Sequence, residues 1–148
     1  MSKTLIILSS VSGGGKSTFA EFLWRKDPLN SVICSADNYF IDNQGNYNFD
    51  SSQLGKAHQF SKNLCKDAMK ANAGTVIVDN TNTTRREAKE YIDMAEQFEY
   101  AVTWLVVLPA HDGHNQHMVP QETLQKQVKR LNNTVGLINQ EFIEKNND

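Results

Sequence analysis

A glycine-rich loop, S-V-S-G-G-G-K-S at residues 10–17, separates an apolar run from an amphipathic stretch. It fits the phosphate-binding pattern G-x-x-x-x-G-K-[ST] at every position but the first, where Ser10 stands for glycine. The run before it, T-L-I-I-L-S at residues 4–9, reads as a strand, and T-F-A-E-F-L-W at residues 18–24 reads as a helix. Strand, glycine-rich loop and helix in that order make an anion-binding site. The glycines let successive backbone N–H groups point inward, and the helix adds the positive end of its dipole. Ser12, Gly13, Gly14, Gly15, Lys16, Ser17 and Thr18 are therefore the candidate nucleotide-binding residues. Lys16 would reach the β- and γ-phosphates of ATP, and the Ser17 hydroxyl would ligate Mg²⁺. Serine is tolerated at position 10 wherever its φ is negative.

The rest of the chain alternates strand and helix signals. After Asp27-Pro28 breaks the first helix, residues 31–35 (S-V-I-C-S) read as a second strand buried on both faces. Asp50-Ser51-Ser52-Gln53 reads as a capping box opening a helix to about Ala73, with Leu54, Ala57, Phe60, Leu64 and Ala68 on its apolar stripe and Gly74 ending it. Residues 75–79 (T-V-I-V-D) are a third strand. Thr84-Arg85-Arg86-Glu87 opens a further helix with Ala88, Tyr91, Ile92 and Ala95 inward, and residues 102–107 form a fourth strand. A polar loop over 110–119 leads to Pro120, suited to the first position of a helix. The alternation predicts an α/β fold of the P-loop kinase type, a three-layer sandwich with a central parallel sheet of about four strands. Residues 1–148 read as a single domain with a small lid over about 109–120.

Ligands of such sheets bind at the carboxyl ends of the strands, which selects Asp37 and the tetrad Asp79-Asn80-Thr81-Asn82. Two readings fit Asp37: a cap for a turn beginning at Asn38, or a carboxylate that accepts the proton of an acceptor hydroxyl. Beside a P-loop, the second is adopted. Asp79 is placed as a holder of Mg²⁺ through water. Thr81 and Asn82 fit equally a substrate-positioning role and a loop that caps its own backbone. Arg85 and Arg86 oppose the dipole of the helix they open, which points to an anionic substrate as the alternative to a solvated pair. His111, His114 and His117 fit a polar lid, with zinc ligation as the alternative. Trp24 and Trp104 lie on apolar periodicity and are read as core.

Composition narrows the classes. The formal net charge is −2 with a pI near 6.1, unlike a dedicated nucleic-acid coat, yet compatible with an enzyme gripping a strand end in one groove. No apolar run approaches the ~20 residues of a membrane span, and no charged leader opens the sequence. Cys34 and Cys65 have no metal-site spacing, so a reducing cytoplasmic setting is expected.

Taken together, these motifs resemble the polynucleotide-kinase-like branch of P-loop kinases, above all phage 5′-hydroxyl polynucleotide kinase domains. The resemblance is carried by S-V-S-G-G-G-K-S-T, S-A-D-N-Y-F at 35–40, Y-N-F-D at 47–50, L-G-K-A-H-Q-F at 54–60, V-I-V-D-N-T-N at 76–82 and H-N-Q-H-M-V-P at 114–120. It runs from the first strand to about Arg130. It implies Lys16 and Ser17 on ATP and Mg²⁺, Asp37 as general base, and residues 79–82 beside the active centre. The family's lid arginine is His114 here, and its usual glycine is Met118. A neutral imidazole does not replace a bidentate guanidinium, which leaves Lys126, Lys129, Arg130, Arg85 and Arg86 as cation candidates. Arg130 is placed with the catalytic residues and Arg86 and His114 on the substrate side. The family arginine three residues after the catalytic aspartate is replaced by Phe40. The implied activity is transfer of the ATP γ-phosphate to a 5′-hydroxyl end of DNA or RNA. A nucleoside, nucleotide or hydroxymethylated DNA base is the alternative acceptor, and an ATP-binding regulatory module is the alternative class.

Overall fold

The computed structural model describes residues 2–10, 15–81 and 84–107 and the helical positions 122, 125, 126 and 129. Within them β1 (Thr4–Ser9), α1 (Lys16–Arg25), β2 (Ser31–Cys34), α2 (Leu54–Lys70), β3 (Thr75–Asp79), α3 (Arg85–Gln97) and β4 (Ala101–Val106) follow in order. The strands make one sheet in the order β2-β3-β1-β4, and all three pairings are parallel. Side chains of a strand alternate between faces, and the sequence uses both. Leu8 and Ile77 meet Ala20, Leu23 and Trp24 of α1 on one face. Leu5, Ile7, Val76 and Val78 meet Cys65, Ala68, Met69, Ala88, Tyr91 and Ala95 of α2 and α3 on the other. The α/β layering is thus as the alternation predicts. Each fully buried aliphatic chain contributes about 1.5–3 kcal/mol through lost water contact.

Several local expectations are corrected. β2 lies at a sheet edge, so Val32 and Ile33 are only half-buried rather than covered on both sides. In α2 the buried face is Ala57, Ser61, Cys65, Ala68 and Met69. Leu54 and Phe60, expected inside, are 40% and 37% exposed. Small residues let α2 approach the sheet, while Phe60 turns to Tyr39, with ring centroids 5.9 Å apart. Asp50 does cap, accepting from the Ser52 N–H at 3.0 Å, but it opens a single 3-10 turn, Ser51–Gln53, ahead of α2. The left-handed residue that ends α2 is Asn72 (φ 60°), not Gly74. Asparagine reaches that region at small cost. The capping box at Thr84 and Glu87 is fully formed. Both tryptophans pack against the core: Trp24 Nε1 donates to the Ser31 carbonyl at 3.1 Å, and Trp104 Nε1 donates to Ser9 Oγ.

The α2/α3 side of the core carries ionisable groups held neutral. Burial pushes the Tyr91 hydroxyl up to about 12 from an ordinary value of 10.0. The Cys34 thiol is pushed well above its usual range by its hydrogen bond with Cys65 and then by burial. A raised acid pKa means the fold favours the protonated form. Its stabilising contribution is complete below the unfolded-state value and is lost as pH climbs through the folded one. Stability should therefore hold to about pH 9 and fall steeply through pH 12, with tyrosinate absorbance rising along the unfolding curve. Stability unchanged to pH 12 would contradict this core.

Candidate active site

Strand order brings the chemistry together. β3 lies between β1 and β2, so the segments leaving all three strands share one end of the sheet. Leu8 is paired with Asp79 and Cys34 with Val78, which sets the end of β1 and the turn after β2 on either side of the β3 terminus.

On the β1 side, Gly15 has φ +84° and caps α1. A Cβ there would meet nothing within 4 Å, so the demand for glycine is one of backbone conformation and not of space. The helix start has no side-chain cap bond and no acidic residue in its first turn. This donor set fits a phosphate: orphan N–H groups at a dipole's positive end, with a cation beside them. That cation is Lys16, whose Nζ donates to Asp79 Oδ1 at 2.7 Å, with side chains only 12% and 7% exposed. Ser17 and Thr18 face outward on the same turn. A hydroxyl and a carboxylate at the two ends of this arrangement, Ser17 and Asp79, are oxygen donors of the type Mg²⁺ takes. Ser10, buried, donates its N–H to the Thr81 carbonyl at 3.3 Å. It is not among the non-glycine residues with positive φ, so serine is accommodated in the turn into the loop.

On the β2 side, Asp37 is half-buried in a 3-10 turn, Ala36–Phe40. The residue that precedes this turn is Ser35, so Asp37 sits within its first turn and the capping reading is set aside. The Tyr47 hydroxyl reaches Asp37 Oδ1 at 3.5 Å, the long limit of a hydrogen bond. Burial first, and the neighbouring Asp37 carboxylate second, push the Tyr47 hydroxyl above its ordinary range.

Between them sits Asn80, which the sequence places in the tetrad without a role of its own. Asn80 is 7% exposed. Its Oδ1 accepts from the Ala36 N–H at 2.8 Å, and its Nδ2 donates to Ser61 Oγ and Tyr91 Oη, both at 3.0 Å. Tyr91 Oη in turn donates to Ser61 Oγ at 2.9 Å. One amide thereby ties the end of β3 to the turn bearing Asp37 and to both helices below. A signal for it exists in the sequence: Ser61 and Tyr91 fall on apolar helix faces, where each hydroxyl requires a buried partner.

Of the other predicted residues, Thr81 is half-buried at the β3 terminus, and Arg85 and Arg86 are exposed at the start of α3. Lys126 and Lys129 are exposed helical positions. Ser12, Gly13, Gly14, Asn82, His111, His114, His117 and Arg130 lie outside the described residues. Among the described residues no group of His, Cys, Asp and Glu is arranged to hold a metal ion by itself, and no helix is long and apolar enough to cross a membrane.

A parallel α/β sheet with a glycine-bounded helix start, an adjacent lysine and a carboxylate at the next strand end defines a P-loop, kinase-like nucleotide-binding fold. The AAA domain family model matches residues 5–134, and the chain belongs to that family. NEDD4-binding protein 2 of Homo sapiens is 32% identical over 140 residues, which is 90% of this chain and 8% of that protein. The 2′,3′-cyclic-nucleotide 3′-phosphodiesterase of Rattus norvegicus is 29% identical over 100 residues, 68% of this chain and 23% of the relative. The chain thus spans less than a quarter of either relative's length. Among solved structures, a chain of the Pnkp1/Rnl/Hen1 RNA repair complex superposes with a TM-score of 0.70 at 23% identity, over 90% of this chain and 45% of that one.

Proposed function

We propose that this chain is an ATP- and Mg²⁺-dependent kinase that transfers the γ-phosphate to the 5′-hydroxyl end of DNA or RNA, with Asp37 accepting the hydroxyl proton. The observation that carries the reading is the convergence of the α1 N-terminus, the Lys16–Asp79 pair and Asp37 at one end of three adjacent strands. The likeness to a chain of an RNA repair complex supports a nucleic-acid acceptor and a role in end repair. The phosphodiesterase relative is matched over 23% of its length, and its named activity is not carried to this chain.

In this reading ATP is a substrate, and its phosphates replace Asp79 as the partner of Lys16. Asp79 and Ser17 would hold Mg²⁺, which shields phosphate charge when bound. Asp37 orients the acceptor oxygen in line with the γ-phosphorus and takes its proton as the new P–O bond forms and the bond to the β-phosphate oxygen breaks. Thr81 and Asn82 would position the acceptor, Arg86 and His114 would serve on the substrate side, and Arg130 would supply the catalytic cation that His114 does not. The free, buried cysteines Cys34 and Cys65 fit a reducing cytoplasm.

The test is transfer of labelled γ-phosphate from Mg·ATP to DNA and RNA oligonucleotides bearing either a 5′-hydroxyl or a 5′-phosphate. Label on the hydroxyl ends alone is the expected result. ATP binding without label on any oligonucleotide would overturn the assignment and leave an ATP-binding module. Transfer to free nucleosides in its place would move the acceptor to the nucleoside class.

A further inference from the structure

Five aromatic rings gather beside Asp37, and most of them face outward. Phe40, 6% exposed, is the keel. Tyr39 meets it edge-on at 5.4 Å and continues to Phe60. On the other flank Tyr47 and Phe49 approach it at 6.1 and 5.2 Å and lie nearly parallel to each other, 18° apart in plane with centroids 6.5 Å apart. Tyr39 is 38% exposed, Tyr47 40%, Phe49 54% and Phe60 37%. A single exposed ring is ordinary, but a contiguous set with outward faces marks a binding surface.

The surface is rigidly built. An Ile41–Tyr47 bridge and the Asn48 N–H donating to the Phe40 carbonyl at 2.8 Å fold residues 41–48 back on the keel. Asp42 pins that turn: its Oδ1 accepts from the N–H groups of Gln44 and Asn46, both at 2.9 Å, and its Oδ2 from Asn48 Nδ2 at 3.1 Å. Gly45 supplies the left-handed residue the turn needs, with φ +84°. The shelf joins the candidate site directly through Tyr47, whose hydroxyl reaches Asp37.

We propose that Tyr47 and Phe49, backed by Phe40 and flanked by Tyr39 and Phe60, stack the nucleobase that carries the acceptor hydroxyl and so hold that hydroxyl at Asp37. This rests on the reading of Asp37 as the proton acceptor. Aromatic faces bind bases of any sequence, because every base has a π-face. Asp42 anchors the turn that carries Tyr47 and Asp50 directly follows Phe49, a poor setting for a phosphate, so the shelf takes the base and not the strand's charged backbone. The ligand chemistry is a nucleobase attached to a 5′-hydroxyl sugar, whether it ends a strand or stands as a free nucleoside.

The experiment places 2-aminopurine either at the 5′ terminus or at the 3′ terminus of a short single-stranded 5′-hydroxyl oligonucleotide. The full chain is titrated into each without ATP, and 2-aminopurine riboside serves as the free-nucleoside arm. The 5′ probe should quench and the 3′ probe should not. Phe49→Ala should weaken binding of the 5′ probe about tenfold. Phe49→Trp should retain it; Phe49 is over half exposed, so Phe49→Ala loses only its packing on Phe40 and Tyr47, which Phe49→Trp keeps. Quenching of the riboside at similar affinity makes a nucleoside sufficient, and quenching of the oligonucleotide alone makes the strand necessary; both support the shelf. Equal affinity of Phe49→Ala and the unsubstituted protein, equal quenching at both termini, or no binding of either probe would overturn it. Phosphoryl transfer measured on the same oligonucleotides separates the two proposals. Transfer with an unchanged KM in Phe49→Ala removes the shelf and leaves the kinase. Base stacking without transfer keeps the shelf and removes the kinase.

Discussion

If the proposed reading holds, Asp37→Asn is expected to lower phosphoryl transfer about 10²–10⁴-fold while leaving nucleotide affinity within a few-fold of its starting value. Asp37 follows the end of β2, whereas the α1 start and Asp79 follow β1 and end β3, so under the proposed reading the carboxylate would serve the acceptor and not the nucleotide. Asparagine keeps the shape and can still accept from the Tyr47 hydroxyl, so the turn stays in place. What it cannot do is take a proton. The measurements are kcat with a 5′-hydroxyl oligonucleotide and binding of a fluorescent ATP analogue to the same preparations. Retention of transfer within a few-fold would remove Asp37 from its assigned role. Loss of both transfer and nucleotide binding would show damage to the donor side instead.

Asn80→Leu is expected to destabilise the fold by about 3–5 kcal/mol, the largest stability effect among single substitutions at this end of the sheet. Leucine has a similar volume but leaves the Ala36 N–H without its acceptor and the Ser61 and Tyr91 hydroxyls without the amide donor. Each buried group stranded in this way costs about 1–3 kcal/mol. Because Ser61 and Tyr91 also bond each other, part of the loss is absorbed, and the sum of separate penalties overstates the effect. Chemical denaturation of Asn80→Leu, Tyr91→Phe and the double variant checks this. The single changes should be non-additive, since Tyr91→Phe already removes one of the partners of Asn80. A loss below about 1 kcal/mol for Asn80→Leu would mean that the amide is not the tie it is argued to be.

Much of this was legible in residue order. Apolar four- to six-residue runs bounded by turn residues located each strand of the described residues to within a residue, because Gly, Pro and polar residues mark where such a run stops. Thr84 and Glu87 marked the start of α3 because a capping box is a purely local bargain between neighbouring side chains and backbone. The inward face of α2 was not legible. Leu54 and Phe60 are two of the four large apolar residues on that helix, beside Leu64 and Met69, and hydrophobicity alone favours burying them. Close approach to the sheet selects Ala57, Ser61 and Cys65, and Phe60 finds aromatic partners in the segment after β2. The tethering role of Asn80 was not legible for a similar reason: in the sequence it is one polar residue among several in the tetrad after a strand. Its three partners lie 11 to 44 positions away.

By itself the sequence determined that a glycine-rich segment of the phosphate-binding pattern would lie between a strand and a helix, and that Asp37 and Asp79 would stand at the ends of two further strands. Those are local matters, set by glycine's backbone freedom, by the period of apolar residues and by where apolar runs stop. Only the tertiary structure decided that β3 enters the sheet between β1 and β2. That placement sets Asp79 2.7 Å from Lys16 and lets Asn80 tether the Asp37 turn. Strand order depends on which faces of the helices fit which faces of the sheet, a property of packed surfaces that no single segment carries.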